Sequence, residues 1–240
     1  MDFEIFKKEM LSKLTDINVE LSESKIRDFF TYMELLVEWN EKINLTAIVE
    51  MTEVIDKHFV DSLTISQYLK ENARIIDVGT GAGFPGIPLK IARDDLQIDL
   101  LDSLNKRVNF LNEVINTLQL KNINAIHSRA EDEAIKSEKR EKYDVAVSRA
   151  VANLPVLLEY LLPFIKLNGV CICMKGANIE EEVKSSKKAL KELGGEIEAI
   201  HNFKLPRTDA TRNIIIVRKI ANTPKKYPRK AGTASKNPIM

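Results

Sequence analysis

The sequence predicts an α/β fold, a mostly parallel seven-stranded sheet with an antiparallel edge strand and helices on both faces. From residue 73 onward, short β-branched apolar runs alternate with amphipathic helical stripes, the pattern of right-handed strand–helix–strand crossovers. The last two apolar runs have no helical stripe between them, which predicts an antiparallel pair at one edge. A glycine-rich turn follows the first run, as at the ligand crevice of a doubly wound sheet.

The first seventy residues predict helices. Apolar side chains spaced three and four apart mark one helix over 26–37, and Ser22 is placed to cap its start. A second apolar stripe covers 51–63. No linker separates these helices from the strands that follow, so residues 1–72 are predicted to form a helical cap packed on the domain of 73–220.

The remaining elements follow from the apolar runs and the stripes between them. The runs predict seven strands: Arg74–Val78, Gln97–Leu101, Ile123–His127, Tyr143–Ser148, Val170–Met174, Glu196–His201 and Asn213–Arg218. The stretches between them predict helices that open at Gly86, at about 105, near Glu131, at Pro155 and at Ile179. The last of these helices stops at Gly194. Residues 221–240 hold three prolines and no acid and are predicted to be an irregular basic tail.

Composition restricts the class of protein. The chain has 240 residues, of which 44% are hydrophobic and 30% charged, as in an ordinary globular protein. No apolar run approaches the ~20 residues that span a bilayer, and the acidic start lacks the features of a signal peptide. Cys171 and Cys173 are predicted core residues of a strand, and the three histidines lack the spacing of a metal site. We therefore expect a reduced, cytoplasmic protein without a metal.

The charges are unevenly distributed along the chain. Residues 204–240 carry ten Lys/Arg and one acid, whereas the preceding residues are net acidic. A basic end on a mildly acidic body favours an anionic partner such as RNA. A solvated basic tail with no partner is an equally good interpretation of the charge alone.

The stretch 76–86 carries the strongest chemical signal. It fits the dinucleotide-binding fingerprint as Gly81-x-Gly83-x-x-Gly86. It also fits the first motif of S-adenosylmethionine-dependent methyltransferases, read as Asp77-x-Gly79-x-Gly81-x-Gly83. Both classes place an adenosine-containing cofactor over this turn, where a side chain would keep the ligand away from the backbone. A glycine turn with a purely structural role is the alternative.

Two acids follow the next strands. Asp102 ends the second strand, where a carboxylate can accept hydrogen bonds from both ribose hydroxyls. A role in capping the following helix is the alternative, and the two roles can coexist. Glu131 follows the third strand and is placed to contact the edge of an adenine, as is a backbone amide of its loop. Taken alone, Glu131 is better explained as an acid in the first turn of a helix, and only its position after the third strand favours the adenine contact.

Arg149 closes the fourth strand, where the substrate and the methyl donor should meet. The Asn/Asp-Pro-Pro-aromatic motif of enzymes that methylate amino groups is absent there, and no cysteine is placed as a nucleophile. A surface arginine or a salt-bridged arginine is the alternative interpretation of Arg149.

Several separated motifs together resemble one bacterial family over nearly the whole chain. They are Asn44–Thr46, His58–Leu63, Ile76–Leu89, Asp102–Arg107, Ser148–Ala152, Lys175–Gly176 and Tyr227–Gly232. The chain resembles the RsmG family, also called GidB or glucose-inhibited division protein B. The resemblance implies a Rossmann-like class I methyltransferase that uses S-adenosyl-L-methionine. It would be a cytoplasmic enzyme that methylates nitrogen-7 of one guanine, family position 527, in the 530 loop of 16S rRNA.

The resemblance also assigns roles to residues. It implies cofactor contacts at Gly79, Phe84, Ala130, Glu131 and Arg149, to which the glycine motif and the second strand add Gly81, Gly83 and Asp102. The partner would be 16S rRNA or the small ribosomal subunit.

The implied chemistry needs no general base, because nitrogen-7 of guanine has an exposed lone pair. Catalysis would be positioning of the two reactants, to which Arg149 could contribute. The first candidates for contacts to RNA phosphates are Lys225, Lys226, Arg229 and Lys230.

Two other functions remain open from the residues alone. One is a nicotinamide-dependent oxidoreductase that uses the same glycines, although no catalytic Tyr-x-x-x-Lys stands out. The other is an RNA-binding protein with a vestigial cofactor site.

Overall fold

The computed structural model describes residues 2–240, and seven strands form one sheet. The strands are β1 Arg74–Val78, β2 Gln97–Asp102, β3 Ile123–His127, β4 Tyr143–Arg149, β5 Ile165–Lys175, β6 Gly195–Lys204 and β7 Thr211–Lys219. Their order is β3-β2-β1-β4-β5-β7-β6. The first five strands pair in parallel, and β7 runs antiparallel to both β5 and β6. The predicted fold class and the antiparallel pair at one edge are therefore confirmed, with β7 second from the edge and β6 outermost.

Helices flank the sheet on both faces. They are α1 Phe3–Thr15, α2 Glu23–Ile43, α3 Met51–Val54, α4 Asp61–Leu63, α5 Gly86–Ala92, α6 Asn105–Thr117, α7 Ala130–Glu133, α8 Leu154–Leu161, α9 Glu180–Ser185, α10 Lys187–Leu193 and α11 Thr233–Lys236. Ser22 caps α2 as predicted, because its side chain accepts a hydrogen bond from the Lys25 amide. No helix within residues 2–240 is long and apolar enough to cross a membrane.

Each face of the sheet packs into its own hydrophobic cluster. Successive residues of a strand point to opposite faces, so Ile75 joins one cluster and Ile76 the other. The first cluster also contains apolar side chains of α1 and α2, such as Phe6 and Phe29, which are fully buried. The helical cap therefore shares a core with one face of the sheet, and its position relative to the strand ends is set by packing.

The structure adds detail to the predicted elements and changes several of their bounds. The predicted helical cap begins with α1, which carries no distinctive apolar stripe and is capped by Asp2. The helix predicted from Ile179 is divided into α9 and α10. One turn of π-helix, Ile55–Val60, lies within the second apolar stripe. Such turns often occur at functional sites because they shift side chains out of the regular helical register. The fifth strand begins at Ile165 rather than at Val170, so the preceding helix ends earlier than expected.

Candidate active site

The glycine turn after β1 is held to the sheet by its backbone. The amides of Gly79 and Thr80 both donate to the carbonyl of Leu101, at 2.8 and 3.2 Å. Gly81 has φ +63°, and a Cβ added there would meet no atom within 4 Å. Gly83 has φ +101°, but a Cβ there would lie 2.5 Å from Ile87 Cδ1. The turn therefore leaves open space at Gly81, whereas the lack of a side chain at Gly83 serves packing.

The buried side chain of Asp77 holds the same turn through hydrogen bonds. Its Oδ2 accepts hydrogen bonds from Thr80 Oγ1 at 2.7 Å and from the Gly86 amide at 2.8 Å. Its Oδ1 is buried without a hydrogen-bond partner among residues 2–240. Burial raises the pKa of Asp77 to about 7, against the opposing effect of its two hydrogen bonds and of Arg149. The protonated acid is thus favoured in the folded protein well above the pH at which a free aspartate ionises.

We expect Asp77→Asn to become more stable relative to the wild type as pH rises. The folded wild type keeps the Asp77 proton up to about pH 7, whereas the unfolded chain releases it near pH 4. Unfolding therefore releases a proton in this window, and wild-type stability falls by up to about 1.4 kcal/mol per pH unit. Asparagine does not titrate, so urea unfolding of both chains at several pH values should give diverging curves.

His58 acts on both chains equally in this comparison. Burial, and next the charge of Arg149, lower the pKa of His58 to about 3. The contribution of His58 to the free energy of unfolding therefore rises with pH until the pH reaches the pKa of an unfolded histidine, near 6.5. The difference between the two chains isolates Asp77. Parallel stability curves would contradict the raised pKa of Asp77.

Asp102 connects the second strand to the glycine turn. The carboxylate is 3% exposed, and its Oδ2 accepts the Gly81 amide at 3.0 Å. Its Oδ1 accepts the Leu104 amide at 2.9 Å, which makes a turn that leads into α6. The side chain thus bonds the backbone at the start of the following helix, which is the alternative role considered from the sequence, and it also lines a cavity. A ribose contact at Asp102 remains a prediction.

That first cavity lies at the carboxyl ends of β1, β2 and β3 and has a volume of about 260 Å³. Its lining residues are Val78, Gly79, Leu101, Asp102, Ser103, Ser128, Arg129, Ala130, Glu131, Val151, Tyr160, Gly232 and Ser235. Four predicted cofactor residues are therefore brought together there: Gly79, Asp102, Ala130 and Glu131. Gly81 and Gly83 belong to the adjoining turn and are not among the lining residues. The backbone of Gly79, the carboxylate at the end of β2 and the apolar side chains of Val78, Leu101 and Val151 fit the adenosine portion of S-adenosylmethionine.

Arg149 and Phe84 lie outside the lining of the first cavity. The Phe84 ring is buried and stacks on the ring of His58, with centroids 4.4 Å apart. The Arg149 guanidinium lies 4.9 Å from the Phe84 centroid and 3.2 Å from His58 Nδ1. Because Nδ1 of the neutral His58 accepts from Arg149, Nε2 carries the proton and donates to Thr46 Oγ1 at 2.9 Å.

A buried carboxylate holds Arg149 in place. Asp61 is 3% exposed and accepts from Arg149 Nη1 at 3.3 Å and from Arg212 Nε at 2.9 Å. Arg149 also donates to the carbonyl of Lys57 at 2.9 Å. Arg149 is thus salt-bridged, as the alternative interpretation held, but it is mostly enclosed in an ion cluster that joins the cap to β4 and β7 and does not lie on the open surface. The sequence pattern does not single out Asp61 or Arg212 as site residues, although Asp61 lies within the motif 58–63.

A second cavity, of about 360 Å³, lies at the carboxyl ends of β4 and β5. Its lining residues are Ile48, Lys57, His58, Asp61, Arg149, Ala150, Met174, Lys175, Gly176 and Arg212. The helical cap supplies one wall, through the π-helical turn, and the strand ends supply the other. The two cavities share no lining residue. The end of β1 lines the first cavity, and the end of the neighbouring strand β4 lines the second.

The basic C-terminal residues differ in their surroundings. Lys225, Lys226 and Lys230 are exposed. Arg229 instead makes a bidentate pair with Glu159, which is fully buried, with Nη2 2.6 Å from Oε2. Apart from α11 the segment is irregular, as predicted, but Tyr227, Ala234 and Ile239 are buried against the domain. Residues 221–240 are therefore a docked segment and not a solvated tail, and Arg229 is engaged within the protein.

Comparison with known proteins decides the family. Residues 25–215 match the family described as rRNA small subunit methyltransferase G. The ribosomal RNA small subunit methyltransferase G of Acetivibrio thermocellus is 53% identical over 234 residues, which cover 97% of this chain and 96% of that protein. Its counterpart from Clostridium perfringens is 51% identical over 96% of this chain and 98% of that protein.

The chain belongs to the rRNA small subunit methyltransferase G family. The resemblance stated from the sequence is confirmed. The protein is an rRNA methyltransferase, and S-adenosylmethionine is its methyl donor. The nicotinamide-dependent alternative is excluded by this membership.

Solved structures agree on the fold. TYW2 of M. jannaschii in complex with AdoMet has a TM-score of 0.54 at 17% identity, covering 67% of this chain and 75% of that one. The [4+2]-cyclase SpnF has a TM-score of 0.56 at 14% identity, and the match covers 84% of this chain and 97% of that one. These likenesses support the class I methyltransferase architecture of this rRNA small subunit methyltransferase G family member.

Proposed function

We propose that this enzyme transfers a methyl group from S-adenosylmethionine to nitrogen-7 of the guanine at family position 527 in the 530 loop of 16S rRNA. The observation that carries the proposal is the pair of cavities at the carboxyl edge of the sheet. The first cavity offers glycine backbone and carboxylates to an adenosine. The second, beside Arg149, has the size and partly apolar lining that suit a planar base.

The site residues suit a reaction that needs no proton removal. Bound S-adenosylmethionine supplies a methyl group on a positively charged sulfur. Nitrogen-7 of guanine has an exposed lone pair, so the protein has to align the base and tolerate the positive charge that the base gains. His58 is neutral because its pKa is lowered to about 3. The charge of Arg149 is offset by Asp61, which also pairs with Arg212. Lys57 and Lys175, which line the same cavity, pair with Glu53 and Glu182.

The second cavity can receive a base only if the RNA presents it unstacked. Paired RNA hides its major groove, where nitrogen-7 lies, so a loop nucleotide suits this site. Ile48 and Met174 offer apolar contact to a base, and the partly exposed Lys57 places a cationic side chain at the same cavity for a phosphate. Since small-subunit RNA is made and assembled in the bacterial cytoplasm, the proposal places the enzyme there.

Mass mapping of 16S rRNA tests the proposed base and position. RNA from cells that lack the gene should be one methyl group lighter in the fragment with the 530 loop. Incubation with the purified enzyme and S-adenosylmethionine should restore that methyl group on nitrogen-7. A methyl group on another atom or fragment would refute the assignment while leaving the family membership intact.

We expect the exposed lysines of the C-terminal segment to contribute phosphate contacts. Changing Lys225, Lys226 and Lys230 together to alanine should weaken RNA binding and flatten its salt dependence. The logarithmic slope should fall by about 0.7 for each phosphate of single-stranded RNA that the variant no longer neutralises, because fewer counterions are released. Filter binding at several salt concentrations measures this slope.

A matched triple variant serves as the control. Lys184, Lys187 and Lys188 are also basic, and they lie on α9 and α10. Removing them changes the net charge equally and should leave the slope closer to the wild-type value. Equal slopes for the two triple variants would mean that the C-terminal lysines act only through overall charge.

A further inference from the structure

The C-terminal segment reaches the cavity assigned to the cofactor. We name Tyr227–Ser235 the C-terminal strap. Gly232 and Ser235 of the strap line the first cavity beside Glu131 and Ala130. Tyr160 of α8 lines it too, and its hydroxyl lies 2.8 Å from Ser235 Oγ. The strap is therefore a wall of the cavity, contributed by residues about a hundred positions away in the chain.

Buried polar contacts anchor the strap. Glu159 is fully buried and accepts hydrogen bonds from the backbone amide of Arg229 at 2.8 Å and from its guanidinium at 2.6 to 3.1 Å. The Tyr227 hydroxyl donates to Glu192, and Arg140 donates to the carbonyl of Tyr227 at 2.8 Å. Charge-assisted bonds to a buried carboxylate are strong, so this path of the strap is specified by its side chains.

One strap contact is made directly to a predicted cofactor residue. The amide of Gly232 donates to Glu131 Oε1 at 2.9 Å. Gly232 has φ +80°, a conformation that glycine adopts readily and that aims its amide at the carboxylate. Glu131 is only 7% exposed, so this bond holds the carboxylate in one orientation at the cavity wall.

We propose that the C-terminal strap is a positioning element of the cofactor site, which orients Glu131 and closes the adenosine end of the first cavity. The proposal rests on the proposed function, because it needs an adenosine-containing ligand in that cavity. A carboxylate held in place before binding loses less conformational freedom when the ligand arrives. Arg229 acts through the strap and not on the ligand, which gives this basic residue a role other than phosphate binding.

Calorimetric titration of the full chain with S-adenosylmethionine tests the proposal. Arg229→Gln leaves Glu159 with a weaker partner and should weaken cofactor binding about tenfold or more. Arg229→Lys keeps a cation beside Glu159 and should recover part of the affinity. Lys236→Gln changes the exposed residue that directly follows the strap and should bind like the wild type. In steady-state methylation, Arg229→Gln should raise KM for S-adenosylmethionine and leave kcat and KM for RNA unchanged.

A second variant covers the case in which Arg229→Gln destabilises the whole chain. Ser235→Ala removes only the hydrogen bond to Tyr160 at the cavity and should weaken the cofactor about fivefold. Wild-type affinity in both variants would overturn the strap proposal and leave the proposed function standing. A wild-type chain that does not bind S-adenosylmethionine would overturn both.

Discussion

Gly81→Val should weaken S-adenosylmethionine binding by at least about 100-fold while the sheet stays folded. The Cβ position at Gly81 is open, so a branched side chain there would enter the space in front of the turn that the ligand needs. Valine also disfavours the positive φ of +63°, which loosens the amide that Asp102 binds. Calorimetry gives the affinity, and urea unfolding reports whether the fold is kept.

Two companion variants separate the possible causes. Gly81→Asn tolerates the left-handed conformation and still places a side chain in the open space, so its loss of affinity measures obstruction alone. Gly83→Ala should instead lower the free energy of unfolding by about 1–3 kcal/mol, because its Cβ would press on Ile87 and Tyr32. Wild-type affinity in Gly81→Asn would mean that no ligand approaches the turn at this point.

Asp61→Ala should lower the free energy of unfolding by about 3–5 kcal/mol. The substitution leaves Arg149 and Arg212 without their shared carboxylate, and their side chains are only 15% and 22% exposed. Burial already lowers the pKa of Arg149, and Asp61 opposes that effect. Denaturant unfolding measures the loss, and methylation should fall with it because the second cavity loses the group that holds Arg149.

An exposed ion pair gives the matched control. Glu38 and Lys42 form a pair on α2 with side chains about 60% exposed, so Glu38→Ala should cost about 0.5 kcal/mol or less. Arg212→Met should be milder than Asp61→Ala, because Asp61 would keep Arg149. A loss below about 1 kcal/mol in Asp61→Ala would mean that the cluster is solvated in solution and does not join the cap to the sheet.

The periodicity of the sequence predicts most of the sheet, because the central parallel strands β1, β2 and β4 are mainly apolar runs buried on both faces. The bounds of β1 and β3 agree with the prediction to the residue. The start of β5 does not, because Lys166 to Asn168 are exposed, two of the three are polar, and the stretch resembles a turn. The pattern predicts a helical cap over the first seventy residues but does not give the bounds of α1, because the apolar residues of α1 are explained only by their packing on α2.

The candidate site was predictable only where a local motif carries it. The glycine turn and the acid after β2 follow their strands directly, so Gly79 and Asp102 could be placed from the sequence. The pairing of Arg229 with Glu159 joins residues 70 positions apart, and a basic segment with prolines is equally typical of a solvated tail. Apolar residues such as Tyr227 and Ile239, which the structure buries, are too few and too scattered in the sequence to predict that the segment docks.

The position of β7 bears on how the chain is completed during translation. β7 lies between β5 and β6, although both are synthesised before it. Until Thr211–Lys219 has left the ribosome, β6 has no neighbour to pair with, and β5 presents an open edge of unpaired amides and carbonyls. Such edges pair readily with other chains. A message cut short before codon 211 should therefore yield an insoluble, protease-sensitive product and not a smaller working enzyme.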